Sequence, residues 1–233
     1  MFDTVEVNAT FHAVPSDATM RGWYARTPPD FRFALKFPRA ITHDLRLALP
    51  EAEAPTRDFL RAAELLEEKC GPLLLQLPPS FDRSPNNRRA LASFLDRLPT
   101  DRHQLAVELR HPAWIDPAVE RALAERNVAW CLVDGDQENH RAVMFPADFA
   151  YVRWNRSGLR FDGFAEIQHD RSEALDWWAD TLTRQLPAHV QTVWGYMANE
   201  FAGHAPASLR MLADRLGLAS QDPRAHWPQG VLF

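Results

Sequence analysis

Seven short apolar runs in this chain each carry a polar or ionisable residue near their carboxyl end. In order these are Glu6 and Asn8, Lys36, Gln76, Glu108 and Arg110, Asp134, Arg153 and Asn155, and Tyr196 with Asn199 and Glu200 just beyond. Two carboxylates in unlike surroundings can divide the work of a general acid and a general base, so Glu6 and Glu108 are candidate catalytic groups. A lysine inside a strand can form a Schiff base with a carbonyl, act as a base once desolvated, or hold an anion. For Lys36, anion holding or an ion pair with Glu6 is expected ahead of Schiff-base chemistry. Arg110 and Arg153 are guanidinium forks suited to carboxylate or phosphate. Asn8, Gln76, Asn155, Tyr196 and Asn199 complete a substrate-binding set with them. His111, fixed just past a strand end by Pro112, is a candidate proton shuttle.

These residues admit two other arrangements. In the plainer one, Glu6, Glu108 and Asp134 simply neutralise Lys36, Arg110 and Arg153 in an interior layer. In the other, Glu6, Glu108, Asp134, His111 and His204 supply ligands to a divalent metal. No HxH or HExxH spacing supports a metal, and Lys36 and Arg110 would repel a cation. No cofactor is therefore expected, and a divalent metal stands as the minority alternative.

Strands must present these groups. The runs at 4–8, 31–38, 73–78, 104–110, 128–134, 150–155 and 192–198 have strand length and composition. Helical patterns lie between them: one capped by Ser16, one following Thr56 and closed by Gly71, one carrying Leu91, Phe94, Leu95 and Leu98, one opened by Asp116 and Pro117, one from Ser172, and one from Pro206 with Gly217 past its end. Strands separated by helices run parallel, which leaves an open doubly wound sheet or a closed β/α barrel. No GxGxxG or GxxxxGK[ST] occurs, which disfavours the nucleotide-binding open sheet. With period two, Glu6 and Asn8, Glu108 and Arg110, and Arg153 and Asn155 share one face, while Val5, Val7, Val107, Leu109, Val152 and Trp154 take the other. The polar face then lines the interior at the carboxyl-end mouth, where barrel active sites form. Phe11, Trp114, Trp154 and Tyr196 surround the region, with Trp154 expected to pack outward. The 199–206 loop, opening a helix at Pro206, is a phosphate-binding candidate.

A length of 233 residues and 46% hydrophobic content suit one packed domain over 1–233, with an irregular tail from 218. A net charge of −5 argues against a general nucleic-acid binder but not against a local basic pocket. Cys70 and Cys131 lie among apolar residues in no metal or redox spacing, and neither a membrane span nor a signal peptide is visible, so a cytoplasmic protein with reduced thiols is expected. Of 26 basic residues only Lys36 and Lys69 are lysines, which makes a lysine within a strand the more notable.

The segment from Glu6 to Phe11 and the stretches FRFALKFP, LLLQLPPSF, LAVELRHPAW, WCLVD, AYVRW and YMANEFAGHAP occur in order. On these the chain resembles the YecE-like family, domain of unknown function 72, from about Phe2 to Leu216. The resemblance implies a TIM-type β/α barrel and supplies no established reaction. Members of that family usually open with a strand of the form GTSGW, which this chain lacks. Seven parallel strands are thus expected where eight would be, together with exposed edges at 4–8 and 192–198 that invite self-association. The expected function is an enzyme, a lyase or hydrolase, acting on a small anionic (phosphorylated or carboxylated) substrate by metal-independent acid/base chemistry in an anion-binding pocket. The alternatives are a metal-dependent hydrolase of phosphoesters or nucleic acid, and a non-catalytic ligand-binding or interaction protein.

Overall fold

Residues 2–134, 142–155 and 158–218 are described by the computed structural model. The chain runs β1 (Thr4–Val7), α1 (Asp17–Arg26), β2 (Arg32–Lys36), α2 (Glu53–Glu64), β3 (Cys70–Gln76), α3 (Pro85–Leu95), β4 (Leu105–Glu108), α4 (Pro117–Ala124), β5 (Val128–Asp134), β6 (Phe149–Trp154), α5 (Ser172–Arg184), β7 (Thr192–Met197) and α6 (Ala205–Arg215). The seven strands pair in chain order, each parallel to the next. They form a nearly closed barrel with helices between them, as parallel strands require of their connections. Most of the expected tail lies outside the described residues. Among those described, no helix is long and apolar enough to cross a membrane.

The alternation of side chains divides the apolar residues into two clusters. The larger fills the space between sheet and helices, with Leu35, Leu73, Leu75, Val107, Leu132, Val152 and Trp154 facing Phe59, Phe94, Leu123 and Trp178. The smaller lies inside the barrel and holds Ala34, Leu74, Ala106, Ala129, Cys131, Phe149, Tyr151 and Tyr196. Phe149, Tyr151 and Tyr196 fill space left by the small Ala34, Ala106, Ala129 and Cys131. Burial pushes the Cys131 thiol well above its ordinary pKa, which leaves it an inert core group.

Side-chain caps set three of the six α-helix starts among the described residues. Ser16 accepts from the Thr19 N–H, Ser84 from that of Asn87, and Asp116 from that of Ala118. Two expectations near α2 need correction. The helix begins at Glu53, ahead of Thr56, and ends at Glu64. Gly71 does not close it but lies within β3, where a Cβ would stand 3.2 Å from the Phe33 carbonyl oxygen. The strand register shifts between Phe33 and Leu35, and glycine permits that close approach. Lys69 serves the structure. Its Nζ donates to the carbonyls of Tyr24 and Thr27, at 2.6 and 2.7 Å, and to Thr27 Oγ1 at 3.3 Å. It thereby satisfies carbonyls left open at the end of α1.

The first and last strands do not pair with each other. The phenol of Tyr196 and Thr4 Oγ1 meet at 3.0 Å across the seam. A groove of about 440 Å³ runs there, with Val5 41% and Val193 37% exposed along its flanks. Gly195 on β7 leaves room for Trp154, whose ring would lie 2.8 Å from any Cβ placed there. Trp154 packs outward against Trp178, as its place on the strand requires. Gly195→Ala is accordingly expected to destabilise the fold by about 1–3 kcal/mol through overpacking, measurable as a lower denaturant midpoint with an unchanged slope.

Candidate functional site

Strand length and register set the site. Glu108 ends β4 and faces Gln76, the last residue of β3, across the ladder. Arg153 on β6 is level with Val133 of β5 and Tyr196 of β7, and Lys36 ends β2. All point inward by alternation, Lys36, Gln76 and Glu108 each two residues beyond a member of the apolar interior cluster, Ala34, Leu74 and Ala106. Of the eleven residues singled out from the sequence, the structure joins Glu6, Gln76, Glu108, Arg110 and Arg153 in one bonded cluster and sets Lys36 within its field.

Glu108, 2% exposed, is the hub. Both its oxygens accept from Gln76 Nε2 at 2.8 Å, Oε1 also accepts from Arg110 Nε at 2.6 Å, and Oε2 from Arg153 Nη1 at 2.5 Å. The other end of Arg153 donates to Glu6 Oε1 at 2.8 Å, and the Tyr151 phenol donates to Glu6 Oε2 at 2.7 Å. Burial would push the Glu108 carboxyl up in pKa, but the two guanidinium groups and the amide overturn that and hold it at about 2. For Arg153, burial would favour deprotonation, and Glu108 and Glu6 more than reverse it. Tyr151 is driven well up by burial and by Glu6, and so stays a donor.

Lys36 is built differently. It is 8% exposed, and the expected ion pair with Glu6 is not formed. Among the described residues its Nζ has no acceptor and lies over the Phe11 ring, 3.9 Å from the centroid. Burial first, then Arg153, lower its pKa to about 8. Thr10 fixes this arrangement. Its hydroxyl donates to the Lys36 carbonyl at 2.7 Å and accepts from the Lys36 N–H at 3.2 Å, which pins the short 3-10 turn Ala9–Phe11 to β2. His43 packs edge-on against Phe11 at 5.0 Å and is held by a 2.9 Å contact of Nδ1 with Thr42 Oγ1. It lies in a single π-helical turn, Ala40–Asp44, a form that often marks functional positions. Burial and the nearby Lys36, Arg39 and Arg110 charges lower the His43 pKa, which favours the neutral ring.

Other expected residues fall elsewhere. Asn8, Asn155 and Tyr196 line the seam groove together with Glu6 and Arg153. His111 uses Nδ1 to accept from the Ala113 N–H, and so caps the turn Pro112–Trp114. Asn199 accepts from the Ala205 N–H at 2.9 Å, so a side chain of the 199–206 loop already occupies a first-turn amide of α6. Asp134 faces outward and accepts from Trp178 Nε1 at 2.6 Å and Arg171 Nη2 at 3.0 Å. The same alternation that turned Glu108 inward puts Cys131 and Val133 inside on β5, and Asp134 outside. Trp114 stacks on Phe81 and donates to its carbonyl, behind the loop after β3. With Asp134 removed from the donor set, no three His, Cys, Asp or Glu side chains among the described residues converge as a metal-binding group. Three residues were not found from the sequence. Tyr151 was legible as the inward neighbour two places before Arg153, whereas Thr10 and His43 lie in turns that carry no periodic signal.

Comparison with known proteins agrees with this architecture. The family model described as "Protein of unknown function DUF72" matches residues 1–231. UPF0759 protein YecE of Escherichia coli K12 and that of strain O157:H7 are each 34% identical over 138 residues, covering 57% of this chain and 49% of theirs. The chain thus spans about half the length of the curated relatives it matches. Among solved structures, a DUF72 family protein of Enterococcus faecalis V583 superposes with a TM-score of 0.77 at 18% identity, covering 94% of this chain and 86% of that one. One of Thermotoga maritima MSB8 gives 0.76 at 24%, covering 93% and 85%.

The cluster makes a prediction about acid stability. The folded Glu108 carboxyl titrates near pH 2 against an ordinary 4.5. Its stabilisation is therefore present above pH 4.5 and lost as pH falls toward 2. Glu108→Gln keeps the shape but leaves two guanidinium groups facing an amide, at an expected cost of about 3–5 kcal/mol at pH 7. Denaturant titrations from pH 7 to pH 2 should show the gap between parent and variant closing on acidification.

Proposed function

The chain belongs to the DUF72 family, and on that footing we propose that it is an enzyme that binds a small anionic substrate at the barrel mouth and moves protons there without a metal. One observation carries the reading: in the cluster three cations, Lys36, Arg110 and Arg153, face two carboxylates, Glu6 and Glu108. One positive charge is left over in a desolvated place, where an anion is worth far more than in water. Arg110 commits its Nε to Glu108 and is about one-third exposed, so its fork remains presentable to a carboxylate or phosphate. The seam groove of about 440 Å³ reaches this layer from the side through Glu6 and Arg153, and Lys36 and Arg110 do not line it.

The proton-carrying role moves within the set. Glu108 is saturated with donors and stays ionised, so it is a weak base at neutral pH. Glu6 is occupied by Arg153 and Tyr151. Lys36 titrates near the working range and, among the described residues, donates to no acceptor, which suits a general base or acid. In this reading the carboxylates fix the arginines, the arginines hold the substrate anion, and Lys36 exchanges the proton. Gln76 is a positioning residue. His111 keeps at most its Nε2 for exchange.

Inorganic phosphate and sulfate, titrated calorimetrically, are expected to bind at low ionic strength and to weaken as pH rises through about 8, because the surplus charge disappears when Lys36 loses its proton. Arg110→Met should weaken binding about tenfold or more, the loss of one charge-assisted contact. Binding indifferent to pH and to Arg110 would defeat the anion assignment. A screen of phosphorylated and carboxylated metabolites against parent and Lys36→Met then separates an enzyme from a binding protein: turnover that vanishes in the variant supports the enzyme.

A further inference from the structure

The two lysines of this chain have opposite surroundings. Lys69 Nζ is bound by three oxygens and is spent as a cap. Lys36 Nζ meets no oxygen among the described residues, only the face of Phe11. The carboxylates that would ordinarily neutralise a strand-end lysine are already claimed: Glu6 by Arg153 and Tyr151, Glu108 by Arg153, Arg110 and Gln76. An amine buried against an aromatic ring, beside two guanidinium groups and with no acceptor, has its lone pair available. Amine nucleophiles are activated by such desolvation next to other cations.

Resting on the anion-site reading above, we propose that Lys36 is a covalent catalyst: its amine condenses with the carbonyl of a small aldehyde or ketone that carries a carboxylate or phosphate. The substrate anion is drawn in while Lys36 is an ammonium; Nζ then passes that proton to solvent, the neutral amine adds to the carbonyl carbon and a C–N bond forms. The carbonyl π pair moves to oxygen, which takes up a proton. The nitrogen then gives up a proton, the hydroxyl leaves as water with a proton added, and a C=N bond remains. One water is released for each imine formed, and no oxidant or reductant takes part. Protonated, the imine restores the positive charge of Lys36 and becomes an electron sink for bond cleavage next to the former carbonyl. Thr10 positions the nucleophile by tying both the N–H and the carbonyl of Lys36 to the turn that carries Phe11. His43 rests on the same ring with its Nδ1 engaged by Thr42, which leaves Nε2 for proton exchange with the forming carbinolamine. The lowered pKa of Lys36, about 8, agrees with this role: at neutral pH it has roughly three-hundredfold more unprotonated amine than an ordinary lysine.

Reductive trapping tests the assignment against an unusually clean background, since Lys36, Lys69 and the amino terminus are the amines of the chain. The protein is incubated with cyanoborohydride and, separately, glyoxylate, glycolaldehyde phosphate or neutral glycolaldehyde, and the adducts are mapped by peptide mass. The expected result is a single adduct on Lys36 with at least one anionic probe, formed about tenfold or more faster than on the amino terminus and absent from Lys69. Which anionic probe reacts faster tells carboxylate from phosphate. No adduct on Lys36, or labelling no faster than at the amino terminus, overturns the proposal, whatever the Lys36→Met variant does. If Lys36 reacts as fast with neutral glycolaldehyde as with both anions, the anion site fails while the nucleophile stands. If phosphate binds with the predicted pH dependence and Lys36 stays unlabelled, the nucleophile fails while the anion site stands.

Discussion

Arg153 reaches from β6 to two carboxylates on distant strands, Glu108 of β4 and Glu6 of β1, and the upper half of the barrel interior is organised around that reach. An arginine buried this deeply is tolerable only if its charge is balanced and its donors are filled. Both carboxylates are therefore committed to it, and Gln76, Arg110 and Tyr151 are placed to complete their shells. The remaining cation of the layer, Lys36, bonds to no carboxylate among the described residues. Its isolation follows from the satisfaction of its neighbours.

Such a layer works against stability where an apolar one would not. Replacing buried ion pairs with well-packed apolar residues is frequently neutral or favourable, and the layer below shows that this chain can fill barrel space with Ala34, Ala106 and Ala129. Lys36 makes the point most sharply, since its folded state prefers the uncharged amine at a pH where the unfolded chain prefers the ammonium. Positions that oppose folding in this way are where function is retained at the expense of stability.

Much of this could be read from residue order. Period-two alternation along β1, β4 and β6 placed Glu6, Glu108, Arg110 and Arg153 on one face, because a strand has no other way to orient them. The seven strands and most helix starts followed from apolar runs and side-chain caps. The features that residue order did not show share a cause. Asp134 was grouped by its closeness to a strand end rather than by parity, and parity sends it to Trp178 and Arg171. Asn199 and His111 were judged by type, while the backbone amides of Ala205 and Ala113 claim them locally. The pairing of Lys36 with Glu6 rested on charge alone. The Arg153 guanidinium, with Nη1 on Glu108 and Nη2 on Glu6, already holds the oxygens an ammonium would need.

The unpaired first and last strands bear on how this molecule moves. In a complete ring of staves each is clamped on both sides, whereas here β1 and β7 are each clamped on one, with a Thr4–Tyr196 contact between them. Backbone fraying has the least to break at those two staves. Glu6 rides on one of them and Arg153 is anchored directly beside the other. Loosening of either stave therefore reaches the charged layer directly, because Glu6 and Arg153 hold each other across that seam.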